Sequence, residues 1–455
     1  MSRRSRSYLA AALSVLAAPL HAQPADALPA KYRDVANRII AAAQADSAGA
    51  WNRIAELTDT FGHRLSGSAA LEQAIDWTVA RMKADGLDNV RKEPVMVPHW
   101  VRGAESLELV SPRRQLLPML GLGGSIATPP GGITADVMIV ASFEELTQRA
   151  SEAKGKIVLY DAEWRDYGYN GSFRRLGAIA AAKVGAVASL ARAAGPYSMR
   201  TPHTGSMSYD STVTRIPHAG VTAEDAMMMR RMVARGQNVR VTLKMSAQML
   251  PDAQSHNVMG ELRGREKPNE IVVMGGHIDS WDVGQGAMDD AGGVVVAWEA
   301  LRLLKKLGLT PRRTIRAVGW TNEENGGKGG AAYRNAHQNE VHQLAIESDG
   351  GVFSPRGFGF TGSAEARKAV EAIGTLLQPI GAGKIGPSGG GADIGPIMQT
   401  GVPGMGLEVE GSRYFWFHHT DADTPDKLDP KEVQRCVAVM AIMAYIAADL
   451  EQSLR

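Results

Sequence analysis

The sequence predicts an α/β protein: a mixed, mostly parallel sheet covered by helices, interrupted by a smaller inserted α/β unit. Three observations predict it. From His256 onward, short apolar runs alternate with stretches of helical period, the pattern of strands joined by crossover helices. Between residues 120 and 247 the texture changes, first to glycine and proline, then to a second set of strand and helix periods. Finally, 44% hydrophobic and 22% charged residues over 455 positions describe a globular chain long enough for a large core and two or three domains.

Arg3, Arg4 and Arg6 precede an apolar run from Tyr8 to Leu20, broken only by Ser14 and Pro19, and Ala22 then precedes Gln23. A basic start, an apolar middle and a small residue at a cleavage point read as a signal peptide over residues 1–22. The apolar run is about 13 residues, short of the roughly 20 that a spanning helix needs. The chain is therefore expected to be exported, periplasmic or secreted, with no stable membrane insertion. Loss of residues 1–22 removes three arginines and no acids, turning the formal charge of +2 into −1. That balance argues against a nucleic-acid partner. The single cysteine, Cys436, cannot close an intrachain disulfide, and its apolar-periodic surroundings predict a buried, inert thiol.

Helical period covers residues 30–57. A turn-rich segment, 61–68, leads to a helix over 69–85 with Leu71, Ile75, Val79 and Met82 on one face and Gly86 at its end. Strands follow near 90–97 and 106–109. Residues 121–132 read as a linker. Beyond it, strands near 136–141, 156–160 and 186–190 and helices over 173–184 and 223–235 make a compact unit. It has few clustered acids or histidines, so no chemistry is expected there. The last part predicts strands at 271–275, 314–320, 345–348 and 405–408 and helices at 292–307, 364–377 and 430–450.

The acids and histidines fall at strand ends. Residues 271–275 run into His277 and Asp279, residues 314–320 into Glu323 and Glu324, and residues 345–348 into Asp349. Asp289 and Asp290 close a glycine-rich loop, and His418, His419, Asp421 and Asp423 cluster near the C-terminus. Each has an ordinary reading. His277 could be a satisfied core histidine, the glutamates a solvated pair, Asp289 and Asp290 helix caps, Asp349 a turn residue. Their coincidence at the carboxyl ends of buried strands, where such sheets bind ligands, favours a metal site instead. Two zinc ions would take roughly two histidines and three or four carboxylates, whose mutual repulsion a cation would offset.

These segments, 276–280, 286–293, 320–324, Asp349 and 419–424, resemble the co-catalytic dizinc aminopeptidase family, which includes glutamate carboxypeptidases. So do 97–103 and 202–205, and the resemblance spans nearly the whole mature chain. It implies a discontinuous catalytic domain of zinc-peptidase fold, residues 23–119 and 248–455, carrying a protease-associated-like insert at 120–247. It implies two Zn2+ per chain: His277 and Asp349 on one, Glu324 and His419 on the other, Asp289 on both. Glu323 becomes the general base for a zinc-activated water, and Asp279 orients His277 through its other ring nitrogen. A cis peptide at Asp289–Asp290 and a homodimer are implied as well. Between His418 and His419, only the following Thr-x-x-Asp-Thr favours His419 as ligand. The implied substrates are unblocked dipeptides or short peptides, with the amine held by carboxylates and the carboxylate end by basic or backbone donors, for which the glycine-rich loop 386–393 is the candidate. The alternatives are an aminopeptidase on longer chains, an exported amidase, and a non-catalytic binding protein on the same scaffold.

Overall fold

A computed structural model of the chain describes residues 27–46 and 48–455; the expected signal peptide lies outside the described residues. Two sheets of eight strands organise the fold. In the first, the strands Arg313–Trp320, Lys267–His277, Val341–Glu347 and Gly404–Val409 lie side by side and parallel. A long antiparallel pair, Asp88–Val101 with Gln248–Leu262, extends one side, and Pro355–Thr361 runs antiparallel on the other. The sheet is thus mixed with a parallel centre, as expected.

Alternation along Lys267–His277 shows why the sheet is covered on both faces. Val272 and Met274 join the main core with the helices Gly292–Lys306 and Pro430–Asp449. Ile271 and Val273 point the other way, to Tyr333, Ile394 and Ile397. Successive side chains of a strand take opposite faces, so a continuous apolar run demands two covers. Helix Pro430–Asp449 starts where Asp429 Oδ1 accepts from Lys431 N at 2.7 Å. Val433, Val439, Ile442 and Ile446 in it are wholly buried, and each such side chain contributes about 1.5–3 kcal/mol. Cys436 is buried, as predicted, and burial pushes its thiol pKa up, which keeps it inert. Among the described residues, no helix is long and apolar enough to cross a membrane.

Three expectations need correction. The helical period over 30–57 divides into the helices Ala27–Ala45 and Gly49–Phe61, because Asp46 Oδ1 turns back to accept from Gly49 N at 3.0 Å. The second sheet contains not only the strands expected after residue 120 but also Glu105–Ser111 and Gln115–Leu117, since Glu105–Ser111 pairs with Arg240–Met245. The expected boundary at residue 120 therefore cuts through this sheet. Residues 121–132 are not a free linker either. Met119–Gly121 is a strand against His218–Val221, and Trp100 Nε1 donates to Ser125 O at 3.0 Å.

The turn-rich segment 61–68 is anchored by a fully buried arginine. Arg64 donates to the carbonyls of Ile278 (2.8 Å), Gln285 (2.7 Å), Gly286 (3.0 Å) and Gly62 (3.0 Å). Burial pushes its pKa down to about 10, Asp423 and Asp279 opposing, so it stays charged at neutral pH. Arg64→Leu would leave these carbonyls without a donor in a dry place. It is expected to destabilise the fold by about 3 kcal/mol or more, read as a lower urea midpoint; an unchanged midpoint would contradict this role.

Candidate metal centre

Three adjacent parallel strands deliver their carboxyl ends to one place, as the sequence predicts. His277 is the last residue of its strand, Glu323 and Glu324 follow Trp320, and Asp349 follows Glu347. The loop that carries Asp289 is held by Asp423. Its Oδ1 accepts from Ala287 N (3.0 Å) and Met288 N (2.9 Å), and its Oδ2 from Asp289 N (3.2 Å). The Asp289–Asp290 peptide is cis. Asp290 faces away from the cluster. Its Oδ2 accepts from His277 N at 3.1 Å and its Oδ1 from Gly293 N at 3.0 Å, tying the strand to the next helix. A side chain at Gly276 or Gly293 would collide with that carboxylate, which explains both glycines.

Two clusters share Asp289. His277 Nε2 lies 3.2 Å from Asp289 Oδ1 and 3.3 Å from Asp349 Oδ1. His419 Nε2 lies 3.2 Å from Asp289 Oδ2 and 3.0 Å from Glu324 Oε2. Within each trio the donor atoms all fall within 4.8 Å of one another. Both imidazoles are set the same way. His277 Nδ1 faces Asp279 O at 3.0 Å, and His419 Nδ1 faces Thr204 O at 3.3 Å. A proton given to a carbonyl from Nδ1 leaves the Nε2 lone pair for the cluster.

The donor set fits zinc in kind, imidazole nitrogen with carboxylate oxygen. Asp289 Oδ2 and Glu324 Oε1 are buried with no hydrogen-bond donor, a costly state that a cation would relieve. The field points the same way. Burial pulls His277 and His419 down, yet Asp289 and Asp349 on the first, and Glu324 and Asp289 on the second, hold them well above the usual imidazole range. This is a place that favours positive charge.

Asp279 meets the other ring nitrogen of His277 through its main chain. Its main-chain carbonyl, not its carboxylate, takes the His277 Nδ1 proton; Oδ1 stands 3.7 Å away. The carboxylate instead accepts from Glu323 N at 3.1 Å and Glu324 N at 3.4 Å, holding the glutamate pair at its strand end. Glu323 belongs to neither trio and lines a cavity of about 360 Å³ beside them. Burial, with Asp349 and Glu324 adding to it, pushes its carboxyl well above the usual range.

His418 stacks on His419 with ring centroids 3.6 Å apart, and its Nδ1 is 3.2 Å from His203 Nε2. The two nitrogens satisfy each other when one carries the proton. His418 Nε2 also lies 3.3 Å from Asp289 Oδ2, but it is His419 that meets Glu324 as well and completes a trio with both acids.

The connections of the second sheet, where no chemistry is expected from sequence, reach into the site. Thr204 N donates to His419 O (3.0 Å) and Ser206 Oγ to Glu324 O (2.6 Å). His419 has a left-handed backbone, φ 58°, which a histidine adopts only when its surroundings hold it there. Tyr167 and Arg174, both on the helix Tyr167–Lys183, line the cavity with Tyr414 and Phe415. Sequence reasoning missed these residues and Arg64. The segment 202–205 stood out without a role, and Tyr167 and Arg174 lie seven apart, on one helix face.

Comparison with known proteins agrees with this geometry. Residues 257–444 match the model of peptidase family M28. The chain is 47% identical over 429 residues to Carboxypeptidase Q of Bos taurus, covering 93% of this chain and 91% of that one. It is 47% identical over 406 residues to Carboxypeptidase Q of Homo sapiens, covering 89% and 86%. The solved peptidase M28 precursor of Shewanella amazonensis superposes with a TM-score of 0.90 at 35% identity, over 94% of this chain and 98% of that one. A zinc aminopeptidase of Bacillus subtilis shares the fold at a TM-score of 0.66 and 20% identity, over 89% and 98%. The chain belongs to peptidase family M28 and is a zinc metallopeptidase.

Proposed function

We propose that the protein is an exported exopeptidase that hydrolyses unblocked dipeptides or short peptides at a centre of two zinc ions. The observation that carries this reading is the division of Asp289, whose two oxygens each face a separate histidine–acid pair. His277 and Asp349 would hold one zinc, Glu324 and His419 the other, and Asp289 both. Zinc, when bound, supplies a Lewis acid that polarises the scissile carbonyl and makes water a nucleophile near neutral pH.

The chain's own residues do the rest. Glu323, in the cavity but outside both trios, takes the proton from the attacking water and returns it to the leaving amine. Asp279 fixes Glu323 through its main-chain N–H. The cavity acids offer a cationic amino terminus its partners, which supports a preference for unblocked peptides. The relatives named Carboxypeptidase Q support an exopeptidase. The basic and apolar start of the sequence supports export.

A panel of free dipeptides, their N-acetylated forms and longer peptides tests this reading. Zinc-dependent cleavage of the free dipeptides and not of the acetylated ones is expected. Equal rates on both forms, or a strong preference for the longer chains, would contradict it. Glu323→Gln is expected to lower kcat by about 10²–10⁴-fold with zinc content unchanged, whereas Asp289→Asn should lose zinc. Elemental analysis of the purified variants beside their kinetics separates the two roles.

A further inference from the structure

Glu323 can act as a base only if its short connection to the sheet holds it still, and one residue of that connection sits between two fixed points. Thr321, just past the end of strand Arg313–Trp320, is held at both main-chain groups. Its N–H donates to Asn257 Oδ1 at 3.0 Å, and its carbonyl accepts from Gly329 N at 3.0 Å. On the other side, Glu323 N donates to Asp279 Oδ1 at 3.1 Å. Asn322 is the joint between them. It is wholly buried, and its backbone is left-handed, φ 65°. Asparagine is among the few residues with a side chain that enter that region readily.

The carboxamide is tied into the site. Asn322 Oδ1 accepts from Lys328 N at 3.2 Å, which sets the orientation of the amide and leaves Nδ2 to donate. Nδ2 donates to Ser66 Oγ at 3.0 Å and to Asn325 Oδ1. Ser66 is itself buried, and its one hydroxyl proton goes to Asp279 Oδ2 at 3.4 Å. A continuous line of donors therefore runs from Asn322 through Ser66 to the carboxylate that holds the main-chain N–H groups of Glu323 and Glu324. Gly326 leaves room for it: a Cβ there would come within 2.4 Å of Asn322 Oδ1. The turn-rich segment 61–68 thus reaches the glutamate pair through Ser66.

We propose that Asn322 is a positioning residue for Glu323. Its left-handed turn directs the Glu323 side chain from the strand end into the cavity, and its carboxamide, through Ser66, holds the Asp279 carboxylate that fixes the Glu323 N–H. The inference rests on the role of Glu323 in the hydrolytic reading above and adds what aims it. Asn322 does not line the cavity, so it acts on the reaction through Glu323 and not through the substrate. Without the carboxamide, Ser66 Oγ loses a buried donor and the joint is free to rotate. A misplacement of about 1 Å costs about 10²-fold in rate. The loss therefore falls on kcat and leaves KM.

The test uses the zinc-loaded enzyme and the free dipeptide it cleaves fastest. The constants kcat and KM and the zinc content are measured for Asn322→Gly, Ser66→Ala, the two together, and Asn322→Gly combined with Glu323→Gln. Glycine keeps the left-handed backbone accessible and removes the carboxamide. Asn322→Gly and Ser66→Ala are each expected to lower kcat by about 10- to 100-fold, with KM and zinc content nearly unchanged. Because both act along one line of donors, the two together should lose little more than either alone. In the Glu323→Gln background Asn322→Gly should bring no further loss, since the group it positions is gone. Wild-type kcat in Asn322→Gly, loss of zinc from either single variant, or an equal further loss in the Glu323→Gln background would each overturn the proposal. Failure of the wild type to cleave any free dipeptide, or full activity of Glu323→Gln alone, would instead remove the hydrolytic reading on which it rests.

Discussion

The structure turns on the crowding of negative charge around Asp289. Asp289, Glu324, Asp349 and Glu323 line one cavity, and the first three meet two histidines within 3.0 to 3.3 Å. Two like charges about 4 Å apart repel by about 4 kcal/mol at an effective dielectric of about 20. Several such pairs would rival the about 5–15 kcal/mol that separates a folded domain from its unfolded chain. A fold that holds these acids in place must also hold positive charge among them. The raised histidines and the donor-free oxygens of Asp289 and Glu324 express one constraint.

The rest of the architecture serves that constraint. The parallel strands bring three chain segments to one edge. Arg64 and Asp423 hold the loops through main-chain groups, and Asp279 fixes the glutamate pair in the same way. Because these contacts go to the backbone, the side chains of His277, Asp289, Glu323 and Glu324 stay free to face inward. The loop between the second sheet's strands Ala188–Arg192 and His218–Val221 adds Thr204 and Ser206, which fix the carbonyls of His419 and Glu324. One half of the centre therefore depends on residues far away in sequence, which accounts for the left-handed backbone at His419.

Much of this was legible in the sequence. The central strands are apolar runs with acids or histidines at their ends, so both their type and their useful edge could be read, and the five expected ligands and Glu323 do converge. What could not be read depends on tertiary placement. Periodicity predicts a helix over 173–184; it shows neither that the helix begins at Tyr167 nor that Tyr167 and Arg174 line the cavity. Strand Glu105–Ser111 looks the same in sequence whichever sheet it joins, and its pairing with Arg240–Met245 is a long-range choice. The break at residue 46 depends on one side chain turning back onto the backbone. That Asp279 meets His277 through its carbonyl, and not its carboxylate, cannot be told from spacing.

The central claim is that Asp289 is shared by two zinc ions. Anomalous scattering from crystals of the purified protein, recorded on both sides of the zinc edge, tests it most directly. The account predicts two zinc peaks flanking Asp289, one beside His277 and Asp349 and the other beside Glu324 and His419. A single peak, or a zinc ion held by His203 and His418, would contradict it.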